Sequence, residues 1–224
     1  MRSQERNIRR VFELATAEEL AAGMEWYPKA RAEIAELALS FDLSREVVSA
    51  VVAVLSPNTR WEYTLRDAEA VSRGYRAGLS ADQVTVTTYP ANKFKAFELL
   101  RTQDTGIVNT RNGYFKVWSF ADNLSNPESE AVTVDFHAYS IAMGSRFKLD
   151  DKMPAIKGNR YKRVAEAYRK VAAELGIRPF ELQAVTWVTW HRLQEIKTYK
   201  LRHKAAEKSA ANLESLQGAK HQIV

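Results

Sequence analysis

Val132-Thr133-Val134-Asp135-Phe136-His137-Ala138-Tyr139-Ser140-Ile141-Ala142-Met143-Gly144 sets one carboxylate inside an apolar run just before a helix. An ionised carboxylate in such surroundings is disfavoured by desolvation unless it is paired or used. Two roles fit Asp135. It can be a helix N-cap, its oxygen accepting the orphan amide protons of Phe136 to Ala138. Or it can be held in a pocket for chemistry.

Outward from this stretch, nearly every segment reads as helix. Ala17 to Met24 and Pro28 to Phe41 are two amphipathic segments, the second with Ile34, Leu37, Ala38 and Phe41 at helical spacing. Ser44 caps a more apolar helix through Val47, Val48, Val51, Val52 and Leu55 that Pro57 stops, and this helix is expected at the centre of the core. A further helix runs from Trp61 to Arg76 and closes at Gly78, and Ser80-Ala81-Asp82-Gln83 opens a short one. Val84 to Thr88 alternates like a strand but is short and isolated, and is read as loop. Asn92 to Leu100 is a basic helix, Thr102 to Gly113 is rich in turns, and Tyr114 to Leu124 is helical again. Lys148 to Gly158 is a charged connection. Two long helices follow, Tyr161 to Leu175 and Pro179 to Leu193, the latter with proline at its favoured first position. No repeat or low-complexity stretch interrupts this all-α pattern.

The 224 residues, 46% of them hydrophobic, suffice for a sizeable core. There is no cysteine, which excludes disulfides, thiolate catalysis, zinc held by cysteine and a cysteine-ligated iron–sulfur cluster. The four histidines do not form a spacing such as His-x-x-x-His, so neither a catalytic metal nor another cofactor is expected. The start, Met1 to Asn7, has no apolar h-region, and no apolar run nears the ~18 residues that a membrane helix needs. A soluble cytoplasmic protein without a membrane partner is the expectation, most simply a monomer. The net charge of +6 is gathered at the ends, with Arg2, Arg6, Arg9 and Arg10 at one and Lys197, Lys200, Arg202, Lys204 and Lys208 at the other. Such clusters suit a polyanion, and equally a solvated face and a frayed tail.

Four blocks together resemble the helix-hairpin-helix DNA glycosylase superfamily, the endonuclease III and adenine glycosylase relatives. Val52-Ala53-Val54-Leu55-Ser56-Pro57-Asn58-Thr59 is similar to the family's helix-end motif Leu-Ser-x-Gln-x-Thr, with Asn58 where Gln is common. Tyr89 to Ala96 is similar to its Gly-x-x-x-x-Lys-Ala helix start. Gly113-Tyr114-Phe115-Lys116 falls where the hairpin Leu-Pro-Gly-Val-Gly-x-Lys would lie. Val134-Asp135-Phe136-His137 matches Val-Asp-Thr-His, which holds the family's catalytic aspartate. The likeness runs from Val47 to Gly144. Gly106 to Gly113 lacks the Leu-Pro-Gly-Val-Gly core, and no iron–sulfur cysteines follow, which marks a divergent member.

What the resemblance implies is a two-lobed helical fold with its cleft between the lobes. Residues 44–145 would form the glycosylase-like core, while residues 1–43 and 146–224 would build the second lobe and a basic tail. The partner would be double-stranded DNA, and the activity excision of a modified or damaged base. Cleaving an N-glycosidic bond builds positive charge on the sugar, which a carboxylate near C1′ stabilises unless it instead activates the attacking water. Asp135 would carry that role. Lys116 could attack C1′ and add abasic-site lyase activity if its pKa is lowered, although an exposed helical lysine is the ordinary case. Base flipping needs a wedge and a stacking surface. Asn58 is the wedge candidate, against a plain turn amide; Trp61, Tyr63, Tyr114 and Trp118 are stacking candidates, against core aromatics. Ser56, Thr59, Arg60, Lys93, Lys95, Arg111, His137, Gln183 and Arg192 complete the expected DNA-binding set. Trp187 and Trp190 read as core of the second lobe.

Two other classes stay open. The superfamily's scaffold also resembles enzymes of viral DNA hypermodification that act on pyrophosphorylated hydroxymethyl pyrimidines, which would fit a bacteriophage source. A non-catalytic DNA-binding protein with a vestigial pocket is the other.

Overall fold

The computed structural model describes residues 3–109, 113–147 and 155–195, and over these it is helical with no strand. In order come α1 (Ser3–Glu13), α2 (Ala17–Ser40), α3 (Arg45–Leu55), α4 (Trp61–Arg76), α5 (Pro90–Thr102), α6 (Phe115–Ser125), α7 (Phe136–Met143) and α8 (Gly158–Leu175). A further helix, α9, covers 179–195. Short 3-10 turns at Ala81–Gln83 and Thr105–Val108 connect the middle helices.

α3 is central because it has no polar face. Val47 to Leu55 are all buried, and a helix that is apolar all round must be enclosed. It starts where Ser44 Oγ accepts the Val47 amide at 3.2 Å, and it ends at Leu55, before Pro57. Around it, α2, α4, α5, α6 and the first turn of α9 form one hydrophobic cluster that includes Tyr27, Ile34, Leu55, Leu99, Leu124 and Phe180. A second cluster joins α1, α7, α8 and α9 through Ile8, Val134, Ile141, Tyr168, Val171 and Leu182. α9 thus serves both, placing Phe180 and Ala184 in one and Leu182 in the other.

Residues 17–41 differ from the expectation of two segments. They make one continuous helix with Pro28 inside. Its N-terminus is fixed by a reciprocal box in which Thr16 Oγ1 accepts the Glu19 amide and Glu19 accepts the Thr16 amide. Pro28 is exposed, so the carbonyl of Met24 that it leaves without a donor faces the wet side of the helix, where water can replace the missing bond. α2 also crosses α9 at very short range. A Cβ built on Gly23 would lie 2.4 Å from the Val185 Cα.

No helix among the described residues is long and apolar enough to cross a membrane.

Candidate active site

Asp135 is the N-cap of α7. Its Oδ1 accepts the Ala138 amide at 2.7 Å, and its side chain remains half-exposed. What leads up to it is unusual: Ala131 to Val134 are buried yet not helical. Buried irregular backbone must find partners for its polar groups, and side chains from other helices supply them. The Tyr161 hydroxyl of α8 donates to the Val132 carbonyl at 2.6 Å and accepts the Val134 amide at 3.2 Å. Asn123 of α6 donates to Thr133 Oγ1 at 3.1 Å, and Ser129 donates to Asn123 Oδ1 at 2.7 Å. Tyr27 of α2 joins the same network, with Thr133 Oγ1 and Gln183 Oε1 each 3.4 Å from its hydroxyl. Three helices, α2, α6 and α8, therefore fix the approach to one carboxylate.

The electrostatics centre on that carboxylate. Burial pushes Tyr27 and Tyr161 up to about 12, and the charge of Asp135 adds to the rise. Tyr168 is raised for the same reasons, burial first. Two imidazoles lie on the opposite side of the balance. Burial lowers His137 below its ordinary 6.5, the charge of Asp135 opposes that, and His191, Arg146 and Lys116 add to the lowering. His191 is lowered by burial too, with Asp135 and Glu195 opposing.

The two histidines are neighbours although they lie far apart in the chain. Their ring centres are 4.7 Å apart, and Trp187 lies 4.4 Å from His191. Phe136 borders His137 at 4.6 Å. Among the described residues, His137 Nδ1 and His191 Nε2 are buried without a hydrogen-bond partner. Burial thus favours the neutral form of both imidazoles, against the opposing charge of Asp135. No group of three or more His, Asp or Glu side chains among the described residues is arranged to hold a metal.

The other expected residues fall in several places. Lys116 is in the first turn of α6, half-buried, and acts on His137 through its charge. Gln183 is buried and accepts from Tyr27. Asn58 is exposed with φ +59° and donates to the Tyr89 hydroxyl. Ser56 and Thr59 bond the backbone of their own turn, to Ala53 at 2.9 Å and Pro57 at 3.2 Å, and Arg60 is the exposed N-cap residue of α4. Trp61 packs 5.2 Å from Trp26, and its indole N–H donates to Glu33 at 2.8 Å. Lys93 donates to the Val84 carbonyl at 2.7 Å. Lys95 pairs with Glu98 at 3.3 Å and lies over the Tyr114 ring. Arg192 is tied to Glu19 at 2.6 Å and to the Leu14 carbonyl. Tyr63 and Trp118 are exposed, and Trp190 packs against the second cluster. Arg111, Arg2 and the cluster from Lys197 to Lys208 lie outside the described residues, as does most of the Lys148 to Gly158 connection.

Tyr27, Asn123, Thr133, Tyr161 and the pairing of His191 were not foreseen in the sequence. One signal for Asn123 was present: Ser119 and Asn123 are four apart on the apolar side of α6, and both are buried. No curated protein and no solved structure matches the chain significantly. A family model, described as a family of unknown function, matches residues 1–194. The chain therefore belongs to that family, DUF7178.

Proposed function

We propose that this protein is a DNA glycosylase-like enzyme in which Asp135 acts on the N-glycosidic bond of a modified or damaged base. The observation that carries this reading is the setting of Asp135: a half-exposed carboxylate at the end of a buried backbone segment clamped by Tyr27, Asn123 and Tyr161, whose charge reaches His137 and His191. A cap alone needs only Ala138 N–H; it does not need this enclosure.

In the proposed reaction the C1′–N bond breaks with its electron pair leaving on the base, which takes up a proton. Water adds to C1′ and passes its proton to the Asp135 carboxylate, whose charge stabilises the cationic sugar before attack. In this reading His137 and His191 take that proton from Asp135 and carry it back toward the departing base. Lys116, half-buried in the first turn of α6, is the lyase candidate that the resemblance implies. The two hydrophobic clusters would be the two lobes, divided otherwise than the expected 44–145 core: α2 packs with α3–α6, and α7 with α1, α8 and α9. Asn58, exposed and left-handed in the turn after α3, is the wedge candidate, and its bond to the exposed Tyr89 hydroxyl would have to open for that role.

The test is to incubate wild type and Asp135→Asn with duplexes carrying damaged, mismatched and hypermodified bases, and to score released base and abasic sites. Release that Asp135→Asn abolishes supports the reading. A borohydride-trapped adduct lost in Lys116→Ala would assign the lyase nucleophile. Release of nothing from any duplex, with binding equal in both proteins, would point instead to a non-catalytic DNA-binding protein. Turnover confined to hypermodified duplexes without abasic sites would point to base remodelling.

A further inference from the structure

The polar side of α8 and the first turn of α1 border an open groove of about 620 Å³. Four cations, Lys162, Arg163, Arg169 and Lys170, face two carboxylates, Glu5 and Glu166, along it. Arg169 is used internally, donating to the Glu130 carbonyl at 2.9 Å and pairing with Glu166 at 3.5 Å. Lys162, Arg163 and Lys170 are exposed, and no ion pair engages them among the described residues. At about 1.5 Å per residue, 162 to 170 spans roughly 12 Å of helix, which matches three to four phosphates at ~3.4 Å of rise per strand. A single small anion would use one of these cations; a row of this length suits a chain of phosphates. Ala167 is the one apolar lining residue, too little to enter a lipid surface.

The groove also leads toward the site. The Lys162 ammonium lies 6.0 Å from the Phe115 ring centre, Phe115 adjoins Lys116, and the neighbouring Tyr161 hydroxyl holds the backbone before Asp135. We infer that the α8 groove binds the phosphate backbone of duplex DNA beside the reacting nucleotide, with Lys162, Arg163 and Lys170 as its contacts. This rests on the DNA reading above for the identity of the polyanion, but not on any excision.

The experiment measures anisotropy of an unmodified duplex of about 20 base pairs between roughly 50 and 200 mM salt. Wild type and the triple variant Lys162→Glu, Arg163→Glu, Lys170→Glu are compared, each checked for native circular dichroism. The triple variant should bind at least about tenfold more weakly, and the slope of log affinity against log salt should fall by about 2–3, at ~0.9 per phosphate contact. The milder pair Lys162→Ala and Lys170→Ala should shift both quantities the same way by less. Unchanged affinity and slope in the triple variant would overturn the assignment, as would charge-dependent binding to phosphatidylserine vesicles with none to the duplex. If groove-dependent binding holds while no duplex loses a base, the glycosylase reading falls and this surface stands.

Discussion

Asp135 caps α7 and, in the function proposed, also carries the chemistry; substitutions can separate the two roles. Asn caps a helix about as well as Asp, so Asp135→Asn should unfold in urea within about 0.5 kcal/mol of wild type while abolishing turnover; turnover retained in Asp135→Asn would assign the residue to folding alone. Asp135→Ala should cost about 0.5–2 kcal/mol on the same measurement, because the Ala138 amide loses its acceptor. The histidine pair gives a pH signature. With folded pKa values below the ordinary 6.5, the unfolded chain binds more protons just under pH 6.5, so stability is full above that value and falls as pH drops beneath it. Melting followed from pH 7.5 to 5 should show Tm declining, and the double variant His137→Gln, His191→Gln should decline less; parallel curves would show that other groups titrate. Tyr27→Phe removes a hydroxyl that Asn123 and Gln183 both use. Asn123 keeps Thr133 Oγ1, but buried Gln183 loses its donor, which should cost about 1–3 kcal/mol in urea unfolding.

At the scale of elements, punctuation in the sequence located much of the fold. Ser44, Asp135 and Pro179 stand at helix starts as their chemistry requires. Pro28 misled, because proline disrupts a helix only when the lost donor matters, and exposure on one face is invisible before the helix is placed. The pairing of His137 with His191 was illegible for a related reason: helical periodicity says which residues share a face, not which faces meet. Gly23 illustrates a meeting that no pattern announces. Gly23→Ala would drive a methyl into Val185, whose Cα and N lie 2.4 and 2.6 Å from it. It should destabilise by about 1–3 kcal/mol, and Val185→Ala should not restore the loss, since the nearest atoms are backbone.

Across the whole molecule, composition and periodicity were enough for an all-helical protein, but the partition into two hydrophobic clusters depends on which helices α9 touches. That shared helix, with Tyr27 bonded to Thr133 and Gln183, predicts cooperative unfolding of both clusters. Fluorescence from tryptophans in each and far-ultraviolet circular dichroism should give one coincident transition; separate midpoints would show independent units. The central claim, that Asp135 stabilises a cationic sugar in DNA, is tested most directly by affinity for a duplex carrying a pyrrolidine abasic analogue, a cationic mimic of the transition state. Wild type should bind it at least about 100-fold more tightly than the neutral tetrahydrofuran duplex, and Asp135→Asn should lose that preference while binding the neutral duplex unchanged. Equal affinity of wild type for the two duplexes would contradict the account.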